Sequence, residues 1–281
     1  MLNRLFLYMA FILAVQSARG QDSLKKEYAA KEYATKVYTI KKSVDIPLIA
    51  GAAVWDLYGF SQVSKKGDVS VKTVNALQKS DVPWFDRWGM YPYSKSIDKL
   101  SYVPFYVAIP LPLIVIAADG KLRKDFATLG FLYAEAMCFT GVLYSSAVHY
   151  VNRYRPLVYS QESPIGTRTV SNSRNSFFAG HVALVGTSAF FAAQVLADYH
   201  PDSKYKWVYY AAAAGLTGIT GYWRNRAGEH FPSDIAVGTV AGVCSGLLTP
   251  RLHKAKIIKN QRLSIFPYSG RTQGIAALYK L

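Results

Sequence analysis

The stretch Trp223-Arg-Asn-Arg-Ala-Gly-Glu-His-Phe-Pro-Ser-Asp234 joins two apolar runs, 207–222 and 235–249, and sets Arg224, His230 and Asp234 at fixed intervals. Five residues separate the arginine from the histidine, and three separate the histidine from the aspartate. A helix beginning here places His230 and Asp234 four residues apart on one face. There the carboxylate holds one imidazole nitrogen protonated and leaves the other free to attack. Pro232 fits a first helical turn, where its missing N–H costs nothing. The same residues also fit an ordinary helix cap with a basic flank, so the reading depends on what lies elsewhere in the chain.

Two further polar clusters stand at the ends of apolar runs. Asn175-Ser-Phe-Phe-Ala-Gly-His181 opens the run 181–197. Gly180 there brings a backbone N–H close to an anion at a helix amino end, and His181 is placed to supply a proton. Asn152-Arg-Tyr-Arg-Pro156 leaves the run 126–148 with Arg153 and Arg155 two apart, and a planar guanidinium grips two phosphate oxygens at once. Taken singly, these are a polar cap and a basic collar. Their convergence at one level is what a single active site demands.

That level follows from the apolar pattern. Runs at 100–118, 126–148, 181–197, 207–222 and 235–249 are each of the length and composition of a membrane-crossing helix. The expected fold class is therefore all-α, a multi-helix transmembrane bundle. A shorter run at 46–60 carries Asp56 and reads as an interfacial piece. The first four residues, an apolar stretch at 5–15 and Ala18-Arg-Gly20 form an export signal or an uncleaved signal anchor over 1–20. With the chain beginning outside, five crossings put 150–180 and the loop around His230 on the same external face. The tail 251–281 then ends inside, in keeping with its seven Lys or Arg and no Asp or Glu. The expected organisation is 1–20 signal, 21–99 basic amino-terminal region, 100–250 helical core and 251–281 basic tail. Within the tail, 265–281 has the alternation of a small hairpin.

The 33 Lys and Arg against 17 Asp and Glu give a formal charge of +16, which suits an anionic partner. The basic residues lie mostly between apolar runs and show no zinc-finger or RNA-binding spacing, which favours lipid headgroups and excludes nucleic acid from the expectation. The two cysteines, Cys138 and Cys244, lie within apolar runs and lack metal-ligand spacing, so neither a structural metal nor a cofactor is expected.

Across roughly 126–249 the chain resembles the type 2 phosphatidic acid phosphatase superfamily, with its pattern Lys-x6-Arg-Pro, Pro-Ser-Gly-His and Ser-Arg-x5-His-x3-Asp. Arg155 and Pro156 match the end of the first block, Gly180 and His181 that of the second, and Arg224, His230 and Asp234 the third. Val148 stands in place of the lysine, Phe178 and Ala179 in place of Pro-Ser, and Trp223 in place of the serine. Arg153, His149 and Ser176 are the candidates to replace the missing phosphate donors. The resemblance implies a metal-independent phosphatase of a bacterial inner membrane, with its site facing outward and a phosphorylated lipid as substrate. In that reading His230 is the nucleophile, Asp234 orients it and His181 is the general acid. Arg155, Arg224, Arg153 and Gly180 hold the phosphate. A secreted soluble acid phosphatase, a vanadium haloperoxidase and a lipid-phosphate-binding protein without turnover are the competing readings.

Overall fold

A computed structural model describes residues 36–255 and the backbone of 263–269 and 273–279. The expected signal at 1–20 lies outside the described residues. One compact unit runs from Ile40 to His253, and the described residues on either side of it belong to a second. In that second unit Ala255 donates its N–H to the Val37 carbonyl at 2.9 Å. Strand β1 (Leu263–Ser269) pairs antiparallel with β2 (Gln273–Tyr279), Leu263 opposite Tyr279. The hairpin expected in the tail forms there.

The larger unit opens with α1 (Lys42–Ser64), a 23-residue helix where a short interfacial piece was expected over 46–60. It lies along α6 (Phe126–Tyr150), tied by a Trp55 Nε1–Ser146 Oγ bond of 2.8 Å and a Ser145 Oγ–Asp56 Oδ1 bond of 3.1 Å. The polar Asp56 is thus answered by a neighbouring helix, while Val54 and Leu57 point outward. A short α2 (Val71–Ala76) follows, capped by Ser70, whose hydroxyl accepts from the Thr73 N–H.

The run expected to be one span over 100–118 is broken into α3 (Lys95–Ser101), α4 (Val103–Ala108) and α5 (Leu111–Ala118). Pro104 and Pro112 stand in the first turns of α4 and α5, and proline begins a helix more readily than it continues one. After α6 comes an irregular stretch containing the one-turn helix α7 (Ile165–Thr169), then three long helices: α8 (Gly180–Tyr199), α9 (Lys206–Arg226) and α10 (Pro232–Leu252). Among the described residues, four stretches are long and apolar enough to cross a membrane: Lys95–Ala118, Leu122–Tyr150, Gly180–Tyr199 and Pro232–Leu252. The expected span at 207–222 is not among them, because its Tyr, Trp, Gly and Thr residues lower its hydropathy.

Helix α8 is the axis of the bundle. Its apolar window is 78% buried, against 28–33% for the other three candidate spans. Elsewhere the outward apolar side chains, among them Ile114, Phe139 and Val240, make a surface suited to lipid. In lipid, helices associate through close packing and interhelical hydrogen bonds. Both occur here. A Cβ on Gly238 of α10 would stand 2.6 Å from the Ala179 carbonyl, so glycine is what lets α10 approach the start of α8. Between α6 and α8, hydroxyls pair at 2.7 Å (Thr140–Thr187) and 2.8 Å (Tyr133–Ser188).

The region 21–99, which the sequence reading sets apart from the core, joins it from residue 40 onward. Asp86 and Asp98, both in that region, reach arginines more than sixty residues away. Buried charge needs a partner, and these carboxylates provide it.

Candidate active site

Between α9 and α10 the chain must turn sharply while presenting His230 to the interior. Gly228 makes the turn with φ +78°, a left-handed conformation that a side chain would strain, and a Cβ there would lie 2.7 Å from the Tyr91 carbonyl. Leu157 N–H donates to the Gly228 carbonyl at 2.9 Å. Asn225 donates its side-chain amide to the carbonyls of His230 and Gly89, each at 2.9 Å. The loop carrying His230 is therefore held at both its ends, and the imidazole is 1% exposed.

The ring is oriented by a group other than the one expected. His230 Nδ1 lies 2.7 Å from the Ser176 carbonyl oxygen, which can only accept, so Nδ1 carries the proton and Nε2 keeps a free lone pair. Asp234 makes no hydrogen bond or ion pair with His230 among the described residues. Its carboxylate instead accepts from Ser176 Oγ at 2.6 Å, from the Phe231 N–H at 3.0 Å and from Arg153 at 2.5 Å. The reason is local. Helix α10 begins at Pro232, so His230 precedes it and the one-face geometry of a four-residue spacing does not apply. Asp234 caps the helix and fixes the residue whose carbonyl fixes the imidazole.

Arg153 also departs from expectation. Its guanidinium spans Asp86 (2.6 Å), Asp234 (2.5 Å) and the Ser233 hydroxyl (2.9 Å), over the Phe231 ring at 4.6 Å. Its charge is matched by two carboxylates, which tie the start of α10 to the segment that carries Asp86. Of the other candidate replacements, Ser176 is bound to Asp234, and His149 packs against the rings of Tyr58 and Tyr150. Val148 is buried, and its carbonyl receives Lys66 Nζ at 2.5 Å; the same ammonium donates to Asn175 Oδ1 at 2.8 Å.

Arg155 and Arg224 are brought together. Both bind the same oxygen, Glu229 Oε2: Arg155 through Nη1, Arg224 through Nη2 at 3.0 Å. Arg224 Nη1 also bonds Asp98 Oδ1 at 2.7 Å and Ser101 Oγ at 3.0 Å, and Arg155 Nη2 bonds Asn172 Oδ1 at 3.2 Å. The Nε of each is buried without a hydrogen-bond partner. Burial, with Arg224 as the nearest like charge, lowers Arg155 to about 10, which still leaves it charged at neutral pH.

His181, in the first turn of α8, joins this group. Tyr102 packs its ring 4.8 Å from the His181 ring and 5.5 Å from the Arg224 guanidinium, and Phe105 lies 5.1 Å from the imidazole on another side. Gly180 N-terminal to it is buried, with no room for a Cβ against Tyr144 at 2.6 Å. Burial, then the charges of Arg155 and Arg224, hold His230 well below the usual imidazole range; the Ser176 bond opposes this and His181 adds to it. His230 is thus neutral, with its free nitrogen in the field of two cations. Among the described residues there is no group of three or more His, Cys, Asp or Glu arranged to hold a metal ion.

The sequence reading passed over Glu229, Asp98 and Asp86. Glu229 carried a signal, an acid placed immediately before a candidate nucleophile in a strongly basic chain. The two aspartates carried none, since their arginine partners are distant in sequence.

Residues 129–258 match the PAP2 superfamily. Among solved structures, the chain is similar to the transmembrane PAP2-type phosphatidylglycerolphosphate phosphatase of Bacillus subtilis, at 16% identity, 72% of this chain, 94% of that chain and a TM-score of 0.41. It is also similar to LpxE of Aquifex aeolicus, at 22% identity, 64% of this chain, 94% of that chain and a TM-score of 0.39. No curated protein matches it.

Proposed function

We propose that this protein, whose residues 129–258 match the PAP2 superfamily, is a membrane phosphatase that hydrolyses a lipid phosphate monoester or pyrophosphate through a phosphohistidine at His230. The observation that carries the reading is the tautomer of His230. A buried, neutral imidazole commits Nδ1 to the Ser176 carbonyl and keeps the Nε2 lone pair free, with the charges of Arg155 and Arg224 acting on the ring. A nucleophile for phosphorus needs that lone pair and that field.

In the first step Nε2 attacks phosphorus and the bond to the leaving oxygen breaks. Arg155, Arg224 and the Gly180 N–H take the charge that gathers on the equatorial oxygens. His181 gives its proton to the leaving alkoxide. Water then attacks phosphorus and returns a proton to His181, the N–P bond breaks, and orthophosphate and neutral His230 are restored. Asp234 acts at one remove, by holding Ser176. The basic surface and the apolar helices around the site favour an anionic lipid over a soluble ester. An outward-facing site in a bacterial inner membrane fits the same reading.

The test is phosphate release by the detergent-solubilised protein from phosphatidic acid, phosphatidylglycerophosphate, a polyprenyl pyrophosphate and lipid A, beside His230→Ala. Release by the native chain from at least one lipid and none by the variant is the expected result. Equal release by both would remove His230 from the chemistry. Lipid binding with no release would favour a binding protein.

A further inference from the structure

The two arginines that bind phosphate in the proposed reaction already hold an anion. Glu229, the residue before His230 in the chain, has its Oε2 shared by Arg155 and Arg224 and is 6% exposed. A carboxylate oxygen and a phosphoryl oxygen ask for the same donors, so both cannot fully occupy them. Counting the carboxylates bonded to the pair, Glu229 and Asp98, the cluster has no net charge before substrate arrives. A phosphate dianion added to it without any rearrangement would leave two uncompensated negative charges in a buried site.

The structure also offers the carboxylate somewhere to go. Beside Arg155 and Glu229 lies a cavity of about 160 Å³, lined also by Tyr93, Thr167, Asn172 and Ser173. Ser173 is 2% exposed, and its hydroxyl has no hydrogen-bond partner. A buried donor left unsatisfied costs free energy that a carboxylate turned into the cavity would recover.

We infer that Glu229 is a resident anion of the phosphate seat, bound between Arg155 and Arg224 in the free protein and displaced toward Ser173 when a phosphoryl group enters. Binding is then an exchange of one anion for another. Glu229 sets how strongly the site holds phosphate and how readily it lets the product go. The inference rests on the phosphatase reading for the identity of the anion, but its measurement does not require turnover.

The probe is orthophosphate, titrated calorimetrically into the full-length protein in detergent at neutral pH. Glu229→Gln is expected to bind orthophosphate about tenfold more tightly than the native chain, the scale of one charge-assisted hydrogen bond no longer in competition. Glu229→Asp keeps the charge but shortens the reach, and is expected to fall between the two. Ser173→Ala weakens binding severalfold in the native background and has no effect beside Glu229→Gln, a coupling that a merely structural serine lacks. Equal or weaker binding by both Glu229 variants, or no orthophosphate binding by any of the proteins, overturns the inference. Tightening by Glu229→Gln in a chain that releases no phosphate from any lipid would keep the anion seat and remove the phosphatase. Lipid hydrolysis without tightening would do the reverse.

Discussion

Arg153 and Arg155 stand two residues apart, yet their guanidiniums meet different partners. The Arg153 guanidinium meets two fully buried carboxylates, Asp86 and Asp234, and the Ser233 hydroxyl. Those carboxylates outnumber it. Arg155 and Arg224, by contrast, share a single oxygen of Glu229, with Asp98 on Arg224 alone, and leave a buried Nε each without a partner. A cation held between two buried carboxylates has little reason to release them, whereas buried donors left open are a place for an acceptor to bind. Neighbouring positions of one residue type thus differ in their surroundings because of what reaches them from elsewhere in the chain.

The largest effect expected is at the group that the open pair serves. His230→Asn removes the attacking nitrogen and lowers phosphate release by about a thousandfold or more, with the melting temperature in detergent little changed. Release within tenfold of the native rate would remove His230 as the nucleophile. The Arg153 cluster fails differently. Arg153→Met leaves Asp86 and Asp234 buried and uncompensated, and costs about 3–5 kcal/mol of stability, read as a fall in melting temperature. A variant with native stability and lost phosphate affinity would place Arg153 in the binding site after all. Arg224→Met, in the open pair, lowers kcat by about a hundredfold, as loss of one preorganised donor does, and weakens orthophosphate binding.

The smallest effect concerns pH. His230 is held neutral in the fold, well below its ordinary value of about 6.5. In the unfolded chain it takes up a proton as pH falls through that value, while the folded chain does not. Its contribution therefore makes stability fall as pH drops below about 6.5, by up to about 1.4 kcal/mol per pH unit, and has no effect above it. His230→Asn is expected to show a shallower loss of melting temperature between pH 6 and pH 5 than the native chain. An identical slope in both would mean that His230 is charged in the fold.

The sequence made the open pair easier to read than the Arg153 cluster. Arg155, Arg224, His181 and His230 follow from short spacings at the ends of apolar runs, and the structure brings them together. The four-residue interval from His230 to Asp234 does not set both on one helix face, because α10 starts at Pro232, two residues after His230. The partners that separate Arg153 from Arg155 come from 67 and 81 residues away in one case and from a loop turned by Gly228 in the other. No local pattern encodes those distances. The bundle itself was legible from apolar length, except where prolines divide the first candidate span into three helices, and where polar aromatic residues dilute α9.

The most direct test of His230 as the nucleophile is to trap its product. After rapid quenching of the native protein with a radiolabelled lipid phosphate, the label should be found on one peptide as an acid-labile, alkali-stable adduct at His230, and be absent from His230→Asn. Turnover by the native chain with no adduct, or with the label on another residue, would contradict it.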